Sequence, residues 1–269
     1  MSDIVKQLTI RGLRQLYEKH EKIVALTAYD ATMAGLMDSG EVHVVLVGDS
    51  LGMTMLGYSN TLAVTLEQSL HHTMAVSRVV KRAMVVGDMP FMSYHVNDDE
   101  TVRNAGRYLQ EAGAGAVKLE GGAEIAGTIK RLAHCGIPVM GHVGLLPQHV
   151  VAEGGYRLHG KSEAEAERII ADAVAVADAG AFAIVIEGVT ADLGRRITEA
   201  VSVPTIGIGA GPHTSGQIQV VHDILGLFET FKPRHAKRYA ELATEIRRVV
   251  SDYSRDVGSG EFPGPENYR

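Results

Sequence analysis

Only one cysteine, Cys135, occurs among the 269 residues, so no intrachain disulfide can form and a reducing compartment is the expected setting. Long runs of lysine or arginine are missing, and the formal net charge is −6; both argue against nucleic acid or an anionic membrane as the main partner. No apolar run reaches the length of a membrane span, and the opening Met1-Ser2-Asp3-Ile4-Val5-Lys6 has no apolar signal-peptide core. A cytoplasmic, soluble protein is therefore expected. No linker, repeat array or low-complexity tract divides the chain, and no Gly-x-Gly-x-x-Gly follows the first apolar run, which argues against dinucleotide binding. What remains, 45% hydrophobic and 22% charged residues, is an ordinary globular composition in a length close to the roughly 250 residues of one α/β barrel.

Short β-branched apolar runs alternate with longer amphipathic stretches, the pattern of repeated βα units. Strands are predicted at 23–28, 43–48, 83–88, 116–120, 138–142, 182–187 and 204–208, with an eighth at 224–228. Their near-continuous apolar character suits a parallel sheet covered on both faces. Helices are predicted at 30–38, 65–81, 98–112, 122–135, 162–179, 189–200, 214–222 and 234–253, and an extra N-terminal helix at 9–20 is placed to close the barrel bottom. Gly113 and Gly180 follow helices, Pro138 and Pro204 open strands, and Ser162 with Glu165 makes a capping-box pattern. The expectation is one (β/α)₈ TIM barrel with an extra N-terminal helix over residues 1–269, ending in a flexible tail at about 258–269.

Charged residues interrupt these strands at their C-terminal ends, where barrel enzymes place their chemistry. The peptides are Val47-Gly48-Asp49-Ser50, Val86-Gly87-Asp88, Lys118-Leu119-Glu120, Gly141-His142 and Ile186-Glu187. Residues two apart on a strand share a face, so Lys118 and Glu120 both point into the barrel mouth. A carboxylate just past a strand is also where a helix N-cap stands, and a Lys–Glu pair is also a plain ion pair. That account must hold at five strand ends in succession, however, and burying so many charges without a counter-ion is costly. Asp49, Asp88 and Glu120 together offer hard oxygen ligands with no paired Cys or His, which favours Mg²⁺ over Zn²⁺. Residue types leave open whether the third carboxylate binds directly or through water. Gly207-Ile208-Gly209-Ala210-Gly211 reads either as a phosphate-gripping loop or as a tight turn, and Gly154-Gly155-Tyr156 suggests a flap near the site.

Several peptides resemble those of the ketopantoate hydroxymethyltransferase family. They are Leu26-Thr27-Ala28-Tyr29-Asp30, Val47-Gly48-Asp49-Ser50-Leu51-Gly52-Met53, Asp88-Met89-Pro90-Phe91-Met92 and Val117-Lys118-Leu119-Glu120-Gly121-Gly122. Gly141-His142-Val143-Gly144-Leu145-Leu146-Pro147-Gln148 and Ile206-Gly207-Ile208-Gly209-Ala210-Gly211 complete the series, so the resemblance runs from about residue 8 to residue 264. Pro212 and Ser215 depart from the family pattern.

The resemblance implies a homodecamer that transfers a hydroxymethyl group from 5,10-methylenetetrahydrofolate to 3-methyl-2-oxobutanoate, giving 2-dehydropantoate for pantothenate and coenzyme A synthesis. It further implies Mg²⁺ on Asp49, Asp88 and Glu120, oxo-acid contacts from Asp49, Ser50, Asp88 and Lys118, and Glu187 as proton acceptor. His142 is added to the substrate-facing set because it ends a strand beside them. The alternative is a Mg²⁺-dependent 2-oxo acid lyase or mutase of the phosphoenolpyruvate barrel type, which needs no folate.

Overall fold

The computed structural model describes residues 6–229 and 232–268. Residues 1–5, which make up most of the N-terminal peptide without an apolar signal core, lie outside that range. Helix α1 (Ile10–Glu18) comes first, capped by the Thr9 side chain, which accepts from Gly12 N. Strands β1 (Ile23–Thr27), β2 (Val44–Val47), β3 (Met84–Asp88), β4 (Ala116–Lys118), β5 (Val139–Gly144), β6 (Ala183–Glu187), β7 (Thr205–Ile208) and β8 (Gly216–Gln219) pair in chain order, all parallel. Pairing of β1 with β8 closes the barrel. Helices α2 (Ala31–Ser39), α3 (Leu51–Thr54), α4 (Leu66–Ser77), α5 (Asp98–Gln110), α6 (Ala126–His134), α7 (Glu163–Asp178) and α8 (Ala191–Ala200) connect the strands. The N-terminal helix and the first seven strands stand within about two residues of their predicted bounds.

Each strand carries two rows of side chains. On the inner row, Ile23, Ala25, Val44, Leu46, Met84, Val86, Ala116, Met140, Ala183, Val185, Ile206, Ile208 and Ile218 form one buried cluster. Leu13 of α1 is fully buried in it, with Leu8, Ile10 and Leu16 packed alongside. Leu8 N donates to Arg82 O (2.7 Å) and the Gln7 amide to Ala83 O (2.9 Å), so this segment seals the end where strands begin. Burial of Leu13 alone stabilises by about 2 kcal/mol. The outer row meets the helices: a Cβ on Gly87 would stand 2.2 Å from the Tyr108 ring of α5, and one on Gly141 2.3 Å from Val176 of α7. Those two glycines let the helices lie close against the sheet.

The predicted eighth strand at 224–228 and the helix at 214–222 are not found. β8 is Gly216–Gln219, and residues 209–215 hold no helix. β8 has a polar outer row. Gln217 is exposed, and its amide donates to Gly211 O (3.0 Å) and Thr214 Oγ1 (2.8 Å). Gly216 is needed because a Cβ there would lie 2.3 Å from Ile23 O. A strand made of glycine and alternating glutamines lacks the apolar run by which the other strands are recognised.

Residues up to Val220 form one compact unit, and those from Val221 form a second. The second contains α9 (Val221–Ile224) and α10 (Leu242–Ser259). The last helix thus starts at Leu242 rather than at the predicted 234. Tyr239 N and Leu242 N donate to Ile224 O (2.8 Å) and Leu225 O (3.0 Å), which holds the preceding residues in a non-helical path. Gly260, in a left-handed conformation at φ 77°, ends α10. Among the described residues no helix is long and apolar enough to cross a membrane.

Candidate active site

Continuing the inner row to the C-terminal ends of the strands replaces apolar side chains by Asp88, Lys118, Glu120, His142 and Glu187. Register brings them together. Asp88 on β3 is paired with Lys118 on β4, and Gly144 on β5 with Glu187 on β6. The Lys118 ammonium lies 2.6 Å from Asp88 Oδ1 and 3.4 Å from Glu120 Oε1. His142 stands between two acids, its Nδ1 3.4 Å from Glu120 and its Nε2 3.3 Å from Glu187, as ion-pair contacts too poorly aligned for hydrogen bonds. Asp49, just beyond β2, donates its backbone N–H to Asp88 Oδ2 (3.1 Å). Ser50 follows, with its hydroxyl 2.8 Å from that of Tyr29. The N-cap positions of α3 and α5 are Ser50 and Asn97, so neither Asp49 nor Asp88 is a helix cap.

All six predicted ionisable residues therefore converge on one cup, and all but Glu187 are almost wholly buried. Burial, reinforced by Asp88 and Glu120, pushes the Asp49 carboxyl well above the usual range. Burial also raises Asp88, with Lys118 opposing the shift. Glu120 resists the upward push of burial because Lys118 and His142 hold it at about 2. For His142, burial favours the neutral ring, but the Glu120 carboxylate and then Glu187 lift it to about 9, so it is charged at neutral pH. Lys118 is likewise held protonated against burial by Asp88 and Glu120. Fully ionised, the cup sets four carboxylates against two cationic groups, a surplus of two negative charges. Among the described residues no three Asp, Glu, His or Cys groups form a ready-made cage for a metal ion. The chemistry of the donors nonetheless fits a hard divalent cation: clustered oxygens with unbalanced charge.

Two residues of the cup are missing from the strand-end reading. Gln148 donates its side-chain amide to Asp49 Oδ2 (2.9 Å) and Met89 O (3.0 Å), while its backbone N donates to Glu120 Oε2 (3.0 Å). The Tyr94 hydroxyl sits 2.7 Å from Gln148 Oε1 and 3.1 Å from Glu120 O, and accepts from Glu120 N at 3.2 Å. Tyr94 lies on a loop and Gln148 on a single 3₁₀ turn (Pro147–His149), where hydrophobic periodicity gives no signal; only the position of Gln148 within the Gly141–Gln148 peptide points to it. In the Gly207–Gly211 loop, a Cβ on Gly194 of α8 would stand 2.1 Å from Ala210 O, and one on Gly211 would stand 2.6 Å from Ala191 Cβ. Close packing on α8 thus accounts for Gly211. Ser215 O accepts from Ile23 N (3.1 Å), which puts that family departure at the opposite end of the barrel from the cup.

Fold and cup together define a class: a (β/α)₈-barrel enzyme with its chemistry at the C-terminal mouth. Among solved structures, the chain is similar to phosphoenolpyruvate phosphomutase from Streptomyces platensis subsp. rosaceus, with TM-score 0.63 and 15% identity over 94% of this chain and 88% of that one. It is also similar to phosphonopyruvate hydrolase in complex with oxalate and Mg²⁺, with TM-score 0.62 and 14% identity over 97% and 93%. At such identities the likeness is one of fold. Sequence is more specific: the family model for ketopantoate hydroxymethyltransferase matches residues 7–265. The 3-methyl-2-oxobutanoate hydroxymethyltransferase of Chloroflexus aurantiacus (strain ATCC 29366 / DSM 635 / J-10-fl) is 54% identical over 261 residues, covering 97% of this chain and 92% of that protein. The chain belongs to the ketopantoate hydroxymethyltransferase family.

Proposed function

We propose that this chain, as a cytoplasmic homo-oligomer, transfers a hydroxymethyl group from 5,10-methylenetetrahydrofolate to 3-methyl-2-oxobutanoate and releases 2-dehydropantoate. The observation that carries the reading is the cup itself: in a chain of this family, Asp49, Asp88, Lys118, Glu120, His142 and Glu187 all meet at one barrel mouth. The decamer follows from the family resemblance.

Asp49, Asp88 and Glu120 would hold Mg²⁺, directly or through water. When bound, the ion would supply a Lewis acid for the 2-oxo and carboxylate oxygens of the substrate and so favour its enolate. Glu187, the most accessible acid of the cup with 22% of its side chain exposed, takes the proton from substrate C3. His142, charged and between Glu120 and Glu187, fixes the direction of that carboxylate and faces the bound acid. Lys118 keeps a positive charge in the cup for the substrate carboxylate or enolate oxygen, and Ser50 offers its hydroxyl to the substrate. The C3 carbon then bonds to the folate-borne carbon, both C–N bonds to that carbon break, and one water supplies the hydroxyl oxygen as tetrahydrofolate leaves.

The test is product formation from 3-methyl-2-oxobutanoate with and without methylenetetrahydrofolate and Mg²⁺. Product only when both are present is the expected result. Turnover of the oxo acid without folate would instead favour a lyase or mutase, a reading that draws on fold likeness alone.

A further inference from the structure

The loop from β5 to α7 leaves Gly144 at φ 97°, where a Cβ would stand 2.3 Å from Glu187 O. Leu145 N donates to that same Glu187 O (2.8 Å), and Gln148 then fastens the chain to Asp49 and Glu120 across the cup. The loop returns at His159, whose N donates to Gly188 O (2.8 Å) and whose O accepts from Thr190 N (3.2 Å). Its two ends are thus laced to the segment carrying Glu187, while its early part grips the acids opposite.

Polar side-chain contacts secure the return. His159 is only 2% exposed, with Nδ1 3.1 Å from Glu165 and Nε2 3.1 Å from Glu153. Arg157 pairs with Glu165 (2.9 Å). Ser162 caps α7 through Glu165 N (3.3 Å), but the Glu165 side chain does not complete the predicted capping box; it accepts from Gly160 N (2.9 Å) instead. Between the two anchors, Gly154 and Gly155 turn the chain at φ 72° and 133° and are followed at once by Tyr156. Half-burial, and then the charges of Asp49, Glu187 and Glu120, raise the Tyr156 phenol above its ordinary value, so it keeps its proton at neutral pH.

We propose that Tyr156 contacts the substrate: held over the cup between the Gln148 and His159 anchors, it donates a hydrogen bond to an oxygen of the bound 2-oxo acid and covers the reacting C3 carbon against water. This rests on the proposed function. His159 is the positioning residue that keeps Tyr156 in place. Excluding water matters because an enolate open to solvent is reprotonated before it meets the one-carbon unit.

The experiment uses the full chain with Mg²⁺ and reads three quantities: binding of 3-methyl-2-oxobutanoate by calorimetry, C3 deuterium exchange, and product formation. Tyr156→Phe keeps the ring and loses the donor, so binding should weaken roughly tenfold, as for one lost hydrogen bond. Tyr156→Leu and His159→Ala should each raise the ratio of C3 exchange to product severalfold, a ratio that partial loss of folded protein does not move. Native binding and a native ratio in all three variants, beside an active native protein, would overturn the assignment of Tyr156. A native protein that neither binds nor exchanges the oxo acid would overturn the proposed function, and this inference with it.

Discussion

Gln148 shows how one neutral side chain organises a charged cup. Its oxygen faces the Tyr94 hydroxyl at 2.7 Å, so its amide nitrogen must face Asp49 Oδ2 at 2.9 Å. Replacing it with a similar-sized apolar residue removes a donor from the buried Asp49 carboxyl, which burial pushes well above its usual range. Gln148→Leu should lower kcat/KM for hydroxymethyl transfer about 10–100-fold, as loss of a partner supporting the proposed metal ligands would. Unchanged circular dichroism would place that loss in the site rather than in the fold, and native kcat/KM would show that the bracket does not matter. The acids were legible in the sequence for a physical reason: each stands at or just past the end of an apolar run, where burial would otherwise forbid a charge. Gln148 and Tyr94 break nothing. They follow Pro147 and Pro90, outside the strands, and no spacing rule marks them.

Between elements, the junction of α2 with β3 depends on a charge that takes no part in the cup. Asp38 is 6% exposed at the end of α2, and its carboxylate accepts from Lys81 N (2.7 Å), Arg82 N (3.0 Å) and Ala83 N (2.8 Å). Those three N–H groups lead directly into β3, so Asp38→Ala leaves them without a partner. A loss of about 3 kcal/mol is expected, at about 1 kcal/mol for each orphaned donor, measured as a lower urea midpoint. A shift below about 0.5 kcal/mol would show that water satisfies these groups equally well. Periodicity revealed seven strands because each is a short, nearly continuous apolar run. It failed at β8, where Gln217 faces out uncovered and Gly216 yields to the Ile23 carbonyl. The late start of α10 was hidden as well, because apolar spacing at Tyr239 continues a helical stripe that the backbone bonds to Ile224 and Leu225 interrupt.

At the scale of the barrel, the two ends divide the labour. The end sealed by Leu8, Ile10, Leu13 and Leu16 supplies apolar burial, and the mouth gathers the charges that burial there must hold in place. Chain order and the parallel closed sheet followed from counting βα units, while the identity of the transferred group came only with the family resemblance. No residue of the cup names folate, which is why its binding surface was not legible. The central claim is narrower: a divalent cation on Asp49, Asp88 and Glu120, with Glu187 as base, forms the enolate of 3-methyl-2-oxobutanoate. Its most direct test is C3 deuterium exchange on that acid, followed by proton NMR without folate, for the native chain with Mg²⁺, the native chain with EDTA, and Glu187→Gln with Mg²⁺. Measurable exchange is expected in the first case, with at least a hundredfold loss in the other two, the scale of a missing general base. Exchange by Glu187→Gln at the native rate would contradict the account.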